Sequence, residues 1–353
     1  MRTLVIGAGV IGAAVAEELA SRGAQVAVLD MRSPGRGATQ ASAGLLTPYI
    51  EARADPALLD LCTRSLALYD TFIGRVRERS GLSVQYERAG TLEVAIGEDE
   101  HAKLADLRVW LDEQRVENQW LDSKELIAFE PAVSPDVSGG VFISGQGFVA
   151  ATALVKALVQ SARLQGATFE SPAEVVRVTP GTAAIDVRAD DRTLSFDRVV
   201  VAAGTWSGRI RIDGASPIPV RPIRGQLLQL TWAAGALPKR PVWGSRVYTV
   251  PWQPDTLLVG ATVEDVGFDE RTTVEGVREL VAGVGELLPI TRQSAIADIR
   301  VGLRPLTADH KPIIAPLESD PRIWIATGHY RNGVLLAPLT ATLVADGVTS
   351  VRS

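Results

Sequence analysis

Two short stretches carry residues whose types and spacing could do chemistry. In "IRVGLRPLTADHKPII", Arg304 follows an apolar run and precedes Pro305. A guanidinium fixed there could hold a carboxylate through two parallel hydrogen bonds, a geometry that Lys cannot reproduce. The competing reading is a structural ion pair at a domain seam. In "IATGHYRNGVLLAP", the polar set His329, Tyr330, Arg331 and Asn332 interrupts two apolar segments. A strand that stops at Gly328 and a helix that starts near Gly333 would present N–H groups and a positive dipole end to a ligand that carries negative charge. Arg331 is expected to face that ligand. His329 and Asn332 either do the same or satisfy backbone groups at the helix start.

A third stretch, "VIGAGVIG", has the spacing that cradles a pyrophosphate. Gly7 permits a tight turn out of a strand, Gly9 lets backbone approach the phosphates, and Gly12 allows close helix packing. Its context strengthens it, with a strand before, a helix after, and Asp30 ending the next strand, where an acid can accept from ribose hydroxyls. The motif does not by itself choose NAD or FAD. Three features favour FAD: the Gly- and Ala-rich "GRGATQASAGLLTP" beyond Asp30, the strand-plus-glycine "VVVAAGTWSG" far along the chain, and the late "IATGHYRNG". A dinucleotide approached from both ends of a sequence reads as a buried prosthetic group.

The elements that must position these residues follow from periodicity. Leu4 to Ile6, a helix from Val10 to Arg22, and "AQVAVLD" form a βαβ unit. Helical texture runs from Asp55 to Arg79 and again, charged, from Asp99 to Glu130 with Trp110 and Trp120. A long amphipathic helix is expected from Ala151 to Gln165. "YERAGTLEVAI" and "VPWQPDTLLVGAT" alternate as strands. The expected fold is α/β plus α+β: a discontinuous Rossmann-like FAD-binding domain (1–85, 140–212 and 300–353) with an inserted, mostly antiparallel-sheet substrate domain (86–139 and 213–299).

The 353 residues carry a net charge of -5 with 22% charged residues, so no basic footprint for nucleic acid is present. Three scattered histidines and one cysteine argue against a metal site. Cys62 shares a helical apolar stripe with Leu58, Leu59, Leu61, Leu66 and Tyr69 and is expected to be a buried thiol. The uncharged run from Thr3 to Ala16 imitates a secretory signal, but three glycines interrupt it and Glu17 and Glu18 follow it. That run and Gly333 to Ala345 are both short for a membrane span. The expectation is a cytoplasmic protein with no integral membrane segment.

The strings "VIGAGVIG", "ASAGLL", "GTWSG", "VRPIRGQ", "GLRPLTADHKPII" and "GHYRNGVLLAP" occur in order over nearly the whole chain. In them the sequence resembles the glycine oxidase and D-amino acid oxidase superfamily of FAD-dependent amine oxidoreductases, most of all the branch associated with thiamine biosynthesis. The resemblance implies that Arg304 and Tyr248, with Arg331, bind the substrate. It also implies hydride transfer from the substrate α-carbon to FAD, with substrate orientation in place of an acid–base catalytic residue; because Cys62 falls in a predicted buried helix, the FAD is expected to be noncovalent. The implied substrates are glycine, sarcosine or small D-amino acids, with dioxygen as acceptor and an oxoacid, ammonia or amine, and hydrogen peroxide as products. Glycine imine could instead pass to thiazole assembly. Cofactor contacts are expected from Gly7, Gly9, Val10, Ile11, Gly12, Asp30, Met31, Ala38, Thr39, Ala43, Gly44, Leu45, Val175, Gly204, His329, Arg331, Asn332, Gly333, Val334 and Leu335. Arg246, two residues before Tyr248, is a weaker pocket candidate. Three alternatives stay open: a dehydrogenase that passes electrons to a quinone or other acceptor, a non-catalytic flavin-binding subunit, and an NAD-dependent dehydrogenase. A homo-oligomer is expected.

Overall fold

The first strand, Arg2–Ile6, lies inside a six-stranded sheet because Leu4, Val5 and Ile6 are apolar on both faces and Thr3 is buried with them, as a parallel core strand requires. The computed structural model describes residues 1–232, 237–252 and 255–350. Across the sheet the order is Ile313–Leu317, Asp320–Thr327, Arg198–Val201, Arg2–Ile6, Gln25–Leu29 and Thr168–Glu170. All neighbours are parallel except the first pair, in which Ile313–Leu317 is antiparallel. The register Val5↔Val28 and Val5↔Val200 brings the carboxyl ends of these strands to one edge, the usual position for a ligand crevice in an open α/β sheet.

An eight-stranded sheet packs across that edge, in the order Ala295–Leu306, Arg221–Thr231, Thr256–Gly260, Tyr248–Pro251, Val242–Trp243, Thr91–Ile96, Val137–Ile143 and Asn118–Asp122. It is antiparallel apart from the parallel pair Val242–Trp243 and Thr91–Ile96. Gln253 and Pro254, inside the expected "VPWQPDTLLVGAT" strands, lie outside the described residues.

Two helical expectations are corrected. The stretch from Asp99 to Glu130 divides into a helix Glu98–Glu113, a strand Asn118–Asp122 and a short helix Ser123–Phe129. Trp120 is on the strand and stands edge-on to His101, ring centroids 5.0 Å apart. Asp122 and Glu125 form a capping box that starts the short helix there. The helix from Asp55 onward breaks at Leu68 into Pro56–Ala67, capped by the Asp55 carboxylate, and Tyr69–Ser80.

The last helix, Gly333–Ser350, continues past Ala345. By length and composition it could cross a membrane, yet 61% of that window is buried inside the protein, against Val10–Ser21 and Pro56–Ala67. Ser65 Oγ donates to the Leu335 carbonyl at 2.7 Å and Tyr69 Oη to that of Val334 at 2.5 Å, which fixes the entry of this helix. Cys62 is fully buried in the same layer, and burial pushes its thiol up to about 12.

Candidate active site

Between the two sheets lies a cavity of about 650 Å³, reached by the ends of Arg2–Ile6, Gln25–Leu29, Arg198–Val201 and Asp320–Thr327 and floored by the antiparallel sheet. At one end the glycines of "VIGAGVIG" divide their work. Gly7 has φ 102°, and a Cβ there would lie 2.5 Å from the Ala202 carbonyl oxygen. A Cβ on Gly12 would lie 1.9 Å from the Gly7 carbonyl, so this position serves helix–strand packing. Gly9 differs: its Cβ would meet only Thr39 Oγ1, at 3.4 Å, and would otherwise project into open space. The helix Val10–Ser21 starts at Gly9, which offers no side-chain cap; Thr39 Oγ1 accepts from the Val10 amide at 3.1 Å, and the Ile11 and Gly12 amides of the first turn are left to an anion from the cavity.

Asp30 closes this end. Its carboxylate accepts from the amides of Ala8 at 2.6 Å and Arg32 at 2.7 Å. Burial still holds its pKa above the ordinary carboxylate value. Each oxygen keeps a further lone pair for a ribose hydroxyl. Arg32 makes a two-pronged bond to Glu270, at 2.9 and 2.6 Å, and its guanidinium lies 4.6 Å from the centroid of the Trp206 ring. A cradle that a Cβ at Gly9 would fill, a helix start with free first-turn amides beyond Val10 and a positioned acid fit the pyrophosphate and ribose of a flavin dinucleotide.

The structure brings most of the expected site residues to this cavity. Gly7, Gly9, Val10, Ile11, Asp30, Met31, Ala38, Thr39, Ala43, Gly44, Leu45, Val175, Gly204, His329, Arg331, Gly333 and Val334 line it, as do Tyr248, Arg304 and the exposed Arg246. Three expected contacts stand behind the wall. Gly12 packs against the Gly7 carbonyl, and Leu335 is core, 1% exposed. Asn332 is buried with its Oδ1 unpartnered. His329 lines the cavity but is tied by Nε2 to Thr340 Oγ1 at 3.0 Å, and burial lowers its pKa to about 3, so the ring is neutral.

At the other end the functional side chains lie flat on glycines. Arg304 crosses over Gly225 of the neighbouring strand, where a Cβ would fall 2.3 Å from Nη2 and 2.4 Å from Cζ and Nη1. Its Nη1 donates to the carbonyl of Thr262 at 3.0 Å and of Arg224 at 3.3 Å, which leaves other N–H groups for a ligand. Arg224 is itself buried and paired with Glu264 at 2.5 Å and Asp269 at 2.9 Å, so the carbonyl it offers is held in place. Tyr248 lies over Gly260, where a Cβ would come within 2.4 Å of Cζ and Oη. Burial pushes the Tyr248 phenol up to about 12, against the pull of Arg304, so it is a neutral donor.

Glu51, on the single-turn helix Pro48–Glu51, completes this end and was not anticipated from sequence. Burial raises its carboxyl to about 7 although Arg331 and Arg304 pull it down. Burial also lowers Arg304, while Arg331 ends above its ordinary value because Glu51 and Tyr330 outweigh the burial effect. No motif surrounds Glu51 in "LLTPYIEARA"; only Pro48 at the first helical position marks a local element.

A dinucleotide cradle that continues into a pocket lined by Arg304, Tyr248, Arg331 and Glu51, between a parallel and an antiparallel sheet, is the arrangement of a flavoprotein oxidoreductase. The family model described as FAD dependent oxidoreductase matches residues 2–347, and the chain belongs to that family, with FAD as cofactor. It is 30% identical to a glycine oxidase of Bacillus licheniformis, over 98% of this chain and 92% of that protein. It is 34% identical to the bifunctional protein ThiO/ThiG of a Nostoc species, over 99% of this chain. The chain spans about half, 53%, of the length of that bifunctional relative. The crystal structure of glycine oxidase from Geobacillus kaustophilus superposes with a TM-score of 0.94 at 31% identity, covering all of this chain and 96% of that one.

Proposed function

We propose that the protein oxidises glycine or another small primary or secondary amino acid, such as sarcosine or a small D-amino acid. The observation that carries this reading is a cavity shared by the flavin cradle and the set Arg304, Tyr248, Arg331 and Glu51. The Gly9 turn, the start of Val10–Ser21 and Asp30 would hold FAD, which would supply the acceptor for a hydride from the substrate α-carbon, with dioxygen as the terminal acceptor reduced to hydrogen peroxide. The chain's own residues supply positioning and one proton transfer. Arg304 clamps the carboxylate with two N–H groups, Tyr248 donates a third bond, and Arg331 adds positive charge across the pocket. Glu51, close to neutral in its titration, takes the proton that an amino acid's ammonium must lose before its nitrogen lone pair can drive the oxidation. Holding the α-carbon in a near-attack geometry is worth roughly 7 to 11 kcal/mol of barrier, so no base at that carbon is required.

The resulting imine hydrolyses to an oxoacid and ammonia or amine, or passes onward to thiazole assembly. We assign the cofactor domain to 1–85, 140–212 and 300–353, supported by the parallel sheet, although the strand Ala295–Leu306 runs through the last boundary. The test is peroxide release from a panel of glycine, sarcosine and D-alanine, with an artificial electron acceptor run in parallel. Oxidation that proceeds with the acceptor alone would make the protein a dehydrogenase. Arg304→Leu is expected to abolish saturation by substrate while FAD stays bound; unchanged KM would remove the carboxylate clamp from the mechanism.

A further inference from the structure

Beside the carboxylate clamp, the antiparallel sheet presents a second polar pair to the cavity. Glu93 and Trp243 are direct partners on adjacent parallel strands, and Trp243 is in turn the direct partner of Tyr248. The three side chains therefore stand in a row on the face that lines the cavity. Their neighbours Leu92 and Val242 point to the opposite face and join a separate buried cluster. The Trp243 and Tyr248 ring centroids are 4.8 Å apart, so a ligand whose carboxylate is held by Arg304 and Tyr248 has Trp243 beside it and Glu93 next along the row.

Among the described residues, Glu93 Oε2 and Trp243 Nε1 are both buried with no hydrogen-bond partner. A buried polar atom left unpaired is costly and rare, and here two of them border one cavity. Their chemistry is complementary: the carboxyl oxygen accepts, and the indole N–H can only donate. A group that both donates and accepts satisfies the pair, whereas an alkyl group leaves both unpaired. We infer that Glu93 and Trp243 form a specificity subsite for a hydroxyl or carboxamide carried on a short substituent of the amino acid. This rests on the amino acid reading above and narrows its substrate class. Burial raises the Glu93 pKa, opposed by Arg53, which suits a carboxyl that exchanges hydrogen bonds with a neutral group.

The experiment compares shape-matched ligand pairs by their dissociation constants, read from the change in flavin absorbance of the holoenzyme. The pairs are D-serine with D-2-aminobutyrate, D-asparagine with D-leucine, and N-(2-hydroxyethyl)glycine with N-propylglycine. At least one polar member is expected to bind about tenfold more tightly than its alkyl partner, because a site built for a hydrogen bond rejects the analogue that lacks it. Glu93→Leu and Trp243→Phe should each bring that ratio to within about threefold, and Glu93→Gln, which keeps an acceptor, should restore part of it. Glycine binding and FAD content should not change in any variant. The inference is overturned if all three pairs bind equally in the wild type, or if the preference survives both Glu93→Leu and Trp243→Phe. Equal binding with glycine still bound removes the subsite alone. Failure of glycine and of every pair to bind removes the proposed function as well.

Discussion

Gly225→Ala perturbs the carboxylate clamp without replacing any side chain that would contact substrate. The new Cβ would lie 2.3 to 2.4 Å from three guanidinium atoms of Arg304, whereas ordinary contact begins at 3.4 Å. The guanidinium must therefore lift by about 1 Å (3.4 − 2.4), and its bonds to the carbonyls of Thr262 and Arg224 must lengthen or break. A displacement of about 1 Å at a positioning group costs on the order of 100-fold. At 1.4 kcal/mol per decade that is about 2.8 kcal/mol, within the range for one charge-assisted hydrogen bond lost. The fold should survive, because the atoms displaced are the end of a flexible side chain. The assay is the affinity of the holoenzyme for glycine and simple carboxylates, followed by flavin absorbance, with FAD content and Tm as controls. Gly74→Ala is the comparison, since its Cβ would meet nothing within 4 Å on the helix Tyr69–Ser80. An affinity within about threefold of wild type in a Gly225→Ala protein that retains FAD would refute Arg304 as the anchor.

Two further outcomes follow from the site. The Glu51 carboxyl is raised in the fold from 4.5 to about 7, so its protonated form contributes stability that is complete below about pH 4.5 and is lost as pH rises through 7. Chemical denaturation of the apoprotein between pH 4 and 9 should show wild-type stability falling relative to Glu51→Gln by up to about 3 kcal/mol, and parallel profiles would contradict the titration. The glycines of the first turn should separate by phenotype. Gly7→Ala drives a Cβ into the Ala202 carbonyl at a positive φ and should lower Tm sharply, whereas Gly9→Ala should fold with wild-type Tm and bind FAD weakly in a fluorescence titration. Equal loss of Tm in both would mean that Gly9 supports packing and not the cofactor.

The polar interruption in "IATGHYRNGVLLAP" marked a strand-to-helix joint at a ligand, and the joint is there: Arg331, Gly333 and Val334 line the cavity. Its residues divide by direction, which a linear pattern does not encode. His329 turns inward to Thr340, and Asn332 is buried behind the wall. The misplaced helix across Asn118–Asp122 has a similar cause. "NQWLD" has no strong period of its own and becomes a strand through its partner Val137–Ile143.

Local chemistry alone determined what depends on residue type at short range. The turn at Gly7, the helix start at Gly9, the acid at Asp30 and the buried strands Arg2–Ile6 and Arg198–Val201 are set within a few residues by sterics and apolar burial. Arg304 stood out because it sits in a string that resembles a family, directly after residues 301–303, and the structure places it on the cavity. Tertiary structure alone decided which distant residues share the pocket. Glu51, Glu93 and Trp243 come from three separate segments, and only the sheet register and the single-turn helix bring them to one cavity with Tyr248 and Arg304. Gly225 and Gly260 acquire their meaning in the same way, since a missing Cβ matters only for the side chain that a neighbouring strand lays across it.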